Sequence, residues 1–294
     1  MRNNLLLVSL TVLILLSQGC GAKDILAKEP VRKPFAVYGF IVYGGYVQNG
    51  QKIKTSYLQL QQYLQPFGIK KLNLFYEGKL LDYPNGDKGN GVPNNHRIDS
   101  LGYLVKNEPG IPVSLDLEGW NRFDTIQTPG RLISVIEEFK KVNQSSLVGL
   151  YATVPQNTYA YASTIHKYDA LNKAYTAVAA AVDYFSPSLY NYNGSDTVAW
   201  NKAAAYNIHA CKLYNYPAKP ILPYITPEVK INGVSSLISY DEMMDHLNTI
   251  YQLGAEGCLI WTSSSTRDLN GEKIYVDANA GWLKAVKDFI ASHP

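Results

Sequence analysis

Short apolar runs alternate with longer amphipathic segments through most of this sequence. The apolar runs have strand length and predict seven β-strands, over residues 36–43, 69–76, 111–120, 147–154, 184–190, 221–229 and 257–263. Segments in which apolar residues recur every three or four positions predict helices over residues 56–64, 128–142, 161–182, 196–214, 239–254 and 279–292. A long polar segment, 81–97, separates the second strand from the third and is predicted to be a loop.

The alternation of strands and helices predicts an α/β fold. Crossovers of this length join parallel strands, and strands that are apolar on both faces are typical of a buried parallel sheet. Neither GxGxxG nor GxxxxGK[ST] follows an early strand, so the pattern does not favour a nucleotide-binding doubly wound sheet. We therefore predict a single TIM-like (β/α) barrel over residues 35–294. Seven predicted strands leave two alternatives, an eighth strand that the pattern does not show or a seven-stranded variant.

The third predicted strand, IPVSLDLEGW, ends in two carboxylates. Side chains alternate along a strand, so Asp116 and Glu118 are predicted to share one face while Leu115 and Leu117 face the other way. The carboxyl ends of barrel strands are where active sites form. A pair of acids there can separate its two pKa values and so supply catalytic groups. Alternatively, the pair is only a solvated strand end.

The later predicted strands each supply an aromatic residue. The fourth to seventh strands contain Tyr151, Tyr190, Tyr224 and Trp261, which are assigned to their carboxyl ends, and Trp120 follows the carboxylate pair. In a barrel these ends share one mouth, where aromatic faces stack on sugar rings and hydroxyl groups bind sugar hydroxyls. The set predicts a substrate-binding cleft for carbohydrate, together with Asp116 and Glu118 as candidate catalytic residues.

Composition narrows the function classes. The chain has 294 residues, a net charge of +3 and 23 Tyr. No block of Lys or Arg is present, so nothing predicts nucleic-acid binding. No His or Cys spacing indicates a metal site, no motif indicates a cofactor, and GxSxG is absent. We therefore expect a polysaccharide partner and no cofactor; the sequence does not indicate the oligomeric state.

The N-terminus predicts export. Arg2 precedes an apolar run over residues 5–16, which has the length of a signal-peptide core and not of a membrane span. The sequence Ser17-Gln18-Gly19-Cys20 resembles a bacterial lipobox, in which Cys20 is the lipid attachment site and anchors the protein to a membrane. Ordinary signal cleavage is the alternative. We therefore predict that residues 1–20 are an export signal and 21–34 a tether, and that the mature protein is a lipoprotein on the outer surface or in the periplasm, or is secreted.

Five motifs, in order, resemble the hyaluronidase family of glycoside hydrolases. The family's Asp-Trp-Glu signature resembles SLDLEGW, with Leu117 in place of Trp. The other four resemblances are LYATVP, with Tyr151; Pro187 to Tyr190 (PSLY); Leu222 to Tyr224 (LPY); and LGAEGCLIW, which ends at Trp261. The family fold is a distorted barrel with seven strands, which resolves the strand count.

The resemblance implies a retaining, substrate-assisted mechanism. Glu118 would be the general acid and then the general base, and the substrate's own N-acetyl carbonyl oxygen would be the nucleophile. Asp116 and Tyr190 would orient the acetamido group. Tyr151, Tyr224 and Trp261 would shape the pocket. Burial and the neighbouring carboxylate are expected to raise the pKa of Glu118, which must be protonated to act.

Two alternatives remain open. The first is a barrel glycosidase of another family, with Glu118 as acid and Glu77 or Glu228 as an ordinary second carboxylate. The second is a catalytically inactive, carbohydrate-binding surface lipoprotein. The sequence lacks the cross-linking cysteines of eukaryotic hyaluronidases, and it leaves open whether Cys211 and Cys258 form a disulfide.

Overall fold

The structure, a computed structural model, describes residues 34–231, 234–268 and 270–293. The predicted export signal, nearly all of the tether and Cys20 lie outside the described residues. Within them, no helix combines the length and the apolar composition needed to cross a bilayer.

Fourteen short strands and eight α-helices make up the described part of the chain. The strands are β1 Ala36–Phe40, β2 Gly45–Gln48, β3 Gln51–Lys54, β4 Ile69–Lys71, β5 Asn73–Tyr76, β6 Leu81–Asp82, β7 Val92–Pro93, β8 Val113–Asp116, β9 Val148–Leu150, β10 Tyr224–Ile225, β11 Glu228–Ile231, β12 Val234–Leu237, β13 Gly257–Trp261 and β14 Tyr275–Val276. The helices are α1 Tyr57–Leu64, α2 Asn95–Val105, α3 Thr128–Val142, α4 Asp169–Ala174, α5 Thr176–Ala181, α6 Thr197–Leu213, α7 Tyr240–Gln252 and α8 Gly281–Ser292.

Parallel strands form the predicted (β/α) barrel. One sheet has the order β10-β13-β1-β4 and another has the order β5-β8-β9. Only Leu72 separates β4 from β5, so the predicted second strand links the two sheets. On the other side, segment 183–190 lies between β9 and β10. Its contacts include parallel bridges from Phe185 to Ile221 and from Ser188 to Tyr224, and a 3.0 Å hydrogen bond from the Ala152 N–H to the Ser186 carbonyl. These contacts give seven positions around the barrel.

Prolines interrupt two of the predicted strands. The fifth was expected to be a continuous strand, but the parallel pairing of segment 184–190 is interrupted at Pro187, which has no N–H to donate to a ladder. The sixth was expected to run over residues 221–229. Instead, Pro223 and Pro227 confine the ladder to β10, and β11 turns away to pair with β12 in an antiparallel hairpin.

The helices differ from expectation in two places. The predicted helix over 161–182 begins only at Asp169 and is divided into α4 and α5 at Tyr175, whose hydroxyl donates a hydrogen bond to the Arg122 carbonyl at 2.7 Å. The predicted loop 81–97 is shorter than expected because α2 begins within it at Asn95. Asn94 caps α2 by accepting from the Arg97 N–H at 3.0 Å.

Large side chains fill the inside of the barrel. Leu72, Tyr184, Leu222, Tyr224 and Leu259 form an interior cluster that is separate from the core between strands and helices. The Tyr184 hydroxyl donates to the Val113 carbonyl at 3.0 Å. Cys211 and Cys258 are both buried and free, so no disulfide joins them.

Candidate active site

A cavity of about 450 Å³ opens at the carboxyl ends of the barrel strands. Six of the seven residues predicted to form the site line it: Asp116, Glu118, Tyr151, Tyr190, Tyr224 and Trp261. The barrel therefore brings together side chains that lie as many as 145 positions apart in the sequence, between Asp116 and Trp261.

The two carboxylates differ in depth. Asp116 is the last residue of β8 and is partly buried, whereas Glu118 lies beyond the strand end and reaches solvent. Burial, followed by the charges of Glu118 and Glu77, raises the pKa of Asp116 to about 7. Burial and Glu77 also raise the pKa of Glu118, while Arg122 opposes the rise. The pKa of Glu118 is thus shifted in the expected direction, but the carboxylate that contributes is Glu77; the pair retains a proton near neutral pH.

A third carboxylate, Glu77, lines the same cavity. It follows β5, and its side chain is only 15% exposed. Its Oε2 atom accepts a 2.6 Å hydrogen bond from the Gly119 N–H, and its Oε1 atom lies 3.5 Å from the Lys88 ammonium group. Glu77 therefore links the turn that follows Glu118 to the segment that contains Lys88.

Stacked aromatic rings form one wall. The Tyr190 and Trp261 rings are nearly parallel, at 22°, with centroids 5.6 Å apart. The Trp261 Nε1–H donates to the Tyr76 hydroxyl at 3.0 Å. Tyr190 also lies 5.8 Å from the Tyr151 ring, which meets Tyr224 edge-on at 5.0 Å. These contacts hold flat aromatic faces around the carboxylates, as stacking against a sugar ring requires.

A hydroxyl network supports this wall. The Tyr151 hydroxyl lies 3.2 Å from Ser188 Oγ, which lies 2.9 Å from the Tyr192 hydroxyl. Asn157 donates to the Tyr192 hydroxyl at 3.1 Å. Burial raises the pKa of both Tyr151 and Tyr190 far above the ordinary value. Both hydroxyls therefore stay protonated and can donate hydrogen bonds to a ligand.

Trp120 is the one predicted site residue outside this cavity. It is 4% exposed, and its indole N–H donates to the Gly91 carbonyl at 2.9 Å. Its ring lines a neighbouring cavity of about 490 Å³, which also contains Arg122. Leu117 is buried in the core, as its face of the strand predicts.

Three cavities at the site adjoin one another. The cavity beside Trp120 shares Glu118 and Tyr151 with the central one, and a further cavity of about 530 Å³ shares Tyr190 and Trp261 with it. Together they make a long cleft with Glu118 between its central cavity and one end. A cleft of this form can hold several units of a polymer.

Glu228 lines the cavity that shares Tyr190 and Trp261 with the central one, and both of its carboxylate oxygens accept hydrogen bonds there. It accepts hydrogen bonds from the Tyr43 hydroxyl at 2.9 Å, the Ser263 N–H at 2.7 Å and the Thr266 hydroxyl at 2.7 Å. Of the two carboxylates proposed as an alternative partner for Glu118, only Glu77 therefore lies in the same cavity.

Tyr76 and Tyr83 also line the cavity and were not predicted from the sequence. Tyr76 ends β5, so the strand-end rule that gave the other aromatic residues also applies to it. Tyr83 and Lys88 come from the polar segment after β5, and nothing local in the sequence predicts where that segment packs. Among the described residues, no group of three or more His, Cys, Asp or Glu is placed to hold a metal ion.

Comparison with solved structures supports the fold. Bee venom hyaluronidase has a TM-score of 0.55 at 15% identity, with 86% of this chain and 99% of that chain covered. Its complex with a hyaluronic acid tetramer gives 0.50 at 15% identity over 78% and 90%. A GH5_18 protein from Bifidobacterium longum subsp. infantis gives 0.52 at 11% identity over 90% and 80%.

No protein-family profile matches the sequence, and no curated protein gives a significant match. At identities this low, the structural likeness shows the fold alone. The chain therefore has a (β/α) barrel of the kind found in the bee hyaluronidase and in the Bifidobacterium protein.

Proposed function

We propose that the protein is a glycoside hydrolase that cleaves an N-acetylhexosamine-containing, hyaluronan-like polysaccharide by a retaining, substrate-assisted mechanism. The observation that carries the proposal is the pair of Asp116 and Glu118, both with raised pKa, in a cavity walled by tyrosine and tryptophan. The bee hyaluronidase bound to a hyaluronic acid tetramer supports the choice of polymer.

Glu118 acts first as an acid. It gives its proton to the glycosidic oxygen while the bond from that oxygen to the anomeric carbon breaks. The carbonyl oxygen of the substrate's N-acetyl group forms the new bond to this carbon and gives a cyclic oxazolinium ion. Ionised Glu118 then takes a proton from water, whose oxygen attacks the anomeric carbon and opens the ring with overall retention.

Asp116 and Tyr190 bind and orient the acetamido group. Asp116 accepts a hydrogen bond from its N–H and stabilises the positive charge that develops there, while the Tyr190 hydroxyl donates to its oxygen. Before substrate binds, the shared proton resides mainly on Asp116, because Asp116 is more deeply buried than Glu118. Pairing of the acetamido group with Asp116 favours the ionised form of Asp116 and leaves the proton on Glu118.

The variant Glu118→Gln tests the proposal. Its amide keeps the size of the side chain but has no acidic proton, so we expect turnover to fall roughly 10³-fold or more while glycan binding is retained. Release of new reducing ends from hyaluronan, chondroitin and chitin-type glycans measures the loss. Glu256→Gln is the control, since Glu256 binds the Ile221 N–H at the opposite ends of the strands. Near-normal hydrolysis by Glu118→Gln would remove Glu118 from the mechanism.

A conventional two-carboxylate glycosidase is the second candidate function. The presence of Glu77 in the same cavity as Glu118 favours it. The two candidates differ in their need for the substrate's N-acetyl group, which only the substrate-assisted reaction uses as nucleophile.

We also propose that the protein is exported and anchored through a lipid on Cys20. The apolar run over residues 5–16 and the lipobox-like residues before Cys20 support this. Metabolic labelling with a palmitate analogue should label the wild-type chain and not the Cys20→Ser variant, and the variant should leave the membrane fraction. Equal labelling of both chains would place the lipid elsewhere.

A further inference from the structure

We propose that Glu77 is a positioning residue of the active site, which fixes the backbone after Glu118 and opposes ionisation of the Asp116–Glu118 pair. The inference rests on the proposed function and assigns a role to a third carboxylate in it. Glu77 follows β5, the strand next to β8, so its carboxyl reaches the turn that carries Glu118.

The first part of the role is geometric. Glu77 Oε2 accepts from the Gly119 N–H at 2.6 Å, and Gly119 directly follows Glu118 in the chain. The approach is so close that a Cβ atom on Gly119 would lie 2.8 Å from Glu77 Oε2 and 3.0 Å from the Lys88 carbonyl oxygen. The carboxylate is thus clamped against the backbone that sets the direction of the Glu118 side chain.

The second part is electrostatic. Glu77 is a mostly buried negative group beside two other acids, and like charges oppose one another's ionisation. Its ion-pair partner Lys88 is 3.5 Å away and 72% exposed, so solvent screens its charge. The other titratable or charged groups that face the three acids are Tyr76, Tyr83, Arg122, Tyr151 and Tyr224.

The same contacts argue against Glu77 as a nucleophile. A nucleophilic carboxylate needs a free oxygen directed at the anomeric carbon. Here one oxygen of Glu77 is held by a backbone N–H and the other faces Lys88. By contrast, the carboxylates of Asp116 and Glu118 accept no hydrogen bond within residues 34–231, 234–268 and 270–293, so their oxygens are available to substrate.

Glu77→Gln separates charge from geometry. The amide oxygen can still accept from Gly119, but the negative charge is gone. We expect kcat to fall about tenfold with KM changed by less than about threefold. The alkaline limb of the pH–rate profile should move about 1 unit toward lower pH, because removing a like charge lowers the pKa of the neighbouring acids. Glu77→Ala also removes the acceptor and should lower kcat further with the same limb shift.

Glu256→Gln is the matched control. It too replaces a carboxylate that accepts a backbone N–H, at 2.8 Å from Ile221, but outside the cleft. The alkaline limb of the pH–rate profile of Glu256→Gln should coincide with that of the wild type. A purely structural role for Glu77 would lower the folded fraction without moving the limb, and an unmoved limb in Glu77→Gln would overturn the inference. A loss beyond about 10⁴-fold that azide restores would make Glu77 the nucleophile and also overturn it.

Carboxyl titration by ¹³C NMR gives a readout independent of turnover. In protein labelled at Asp and Glu carboxyl carbons, the Asp116 resonance, assigned through Asp116→Asn, should titrate at lower pH in Glu77→Gln than in the wild type. If the wild type hydrolyses no glycan, the proposed function fails while this titration still decides the electrostatic role. If the wild type is active and the two titrations coincide, the inference alone fails.

Discussion

Asp116 closes β8 inside the cavity, where burial and the charges of Glu118 and Glu77 raise its pKa to about 7. An unfolded Asp carboxyl ionises near its ordinary value, so between these two pKa values the folded state binds the extra proton. The stability that this proton provides is complete below the ordinary pKa and is lost as pH rises through about 7. Above that pH, a partly desolvated charge remains in the fold.

Asp116→Asn should therefore stabilise the protein at alkaline pH. We expect its free energy of unfolding at pH 8 to exceed that of the wild type by on the order of 2–4 kcal/mol, with the difference shrinking toward zero near pH 4. Urea denaturation at both pH values measures it. An equal difference at both would mean that Asp116 ionises normally in the fold. Activity should be lost at every pH, because the acetamido group loses its carboxylate.

Tyr190→Phe separates the hydroxyl from the ring at the aromatic wall. The phenyl ring keeps its stacking on Trp261, so stability should change by less than about 1 kcal/mol. Loss of the hydroxyl should lower kcat roughly 10²-fold, since a donor to the acetamido oxygen is lost. Tyr46→Phe, whose ring stacks on Tyr63 away from the cavity, is the control. Equal kcat for all three proteins would exclude the hydroxyl from the mechanism.

At the residue scale, the site residues that could be predicted from the sequence are those whose place in a strand fixes where they point. Asp116, Tyr151 and Trp261 could be placed from sequence because they stand at or next to the carboxyl ends of their strands, and barrel strands end at one mouth. Trp120 could not, because it lies in a turn whose direction depends on how segment 89–91 packs over it. Glu77 was predicted only as an alternative second carboxylate. Its hydrogen bond to the Gly119 N–H joins two segments that are distant in sequence, and no local pattern predicts that contact.

Gly149 in β9 shows how an element depends on one missing side chain. A Cβ atom there would lie 2.4 Å from the Tyr184 ring inside the barrel. Gly149→Ala should destabilise the protein by about 2 kcal/mol or more, because ring and strand must move apart. Gly130→Ala in α3 is the control: a Cβ there meets nothing within 4 Å, so the change should stabilise by roughly 0.5–1 kcal/mol. Thermal denaturation compares the two, and equal effects would contradict the packing argument.

At the element scale, local sequence patterns predicted whether a segment is a helix or a strand more accurately than they predicted where it begins and ends. Helix α7 was predicted closely because Ser239 caps it and accepts from the Glu242 N–H. The segment 161–182 was not, because the buried Tyr175 fixes a break that helix propensity alone does not show. Asn94, the cap of α2, lies within a polar segment whose composition predicts a loop, so the start of this helix does not stand out in the sequence.

At the scale of the whole molecule, the barrel arises from long-range pairing of short strands. The sequence predicted seven strand positions around the barrel, and the structure has seven, although pairing of the fifth is interrupted at Pro187. Similar barrels occur in proteins as different as the bee hyaluronidase and the Bifidobacterium protein. The fold therefore leaves the substrate open, and the function must be argued from the side chains at the barrel mouth.

The measurement that tests the central claim most directly compares hyaluronan with the same polymer after removal of its N-acetyl groups. Wild-type protein should release reducing ends from the acetylated polymer, and the de-N-acetylated polymer should be cleaved at least about 10³-fold more slowly, because it lacks the internal nucleophile. Restoring the acetyl groups chemically should restore cleavage. Equal cleavage of both polymers would contradict substrate assistance and would favour a carboxylate nucleophile.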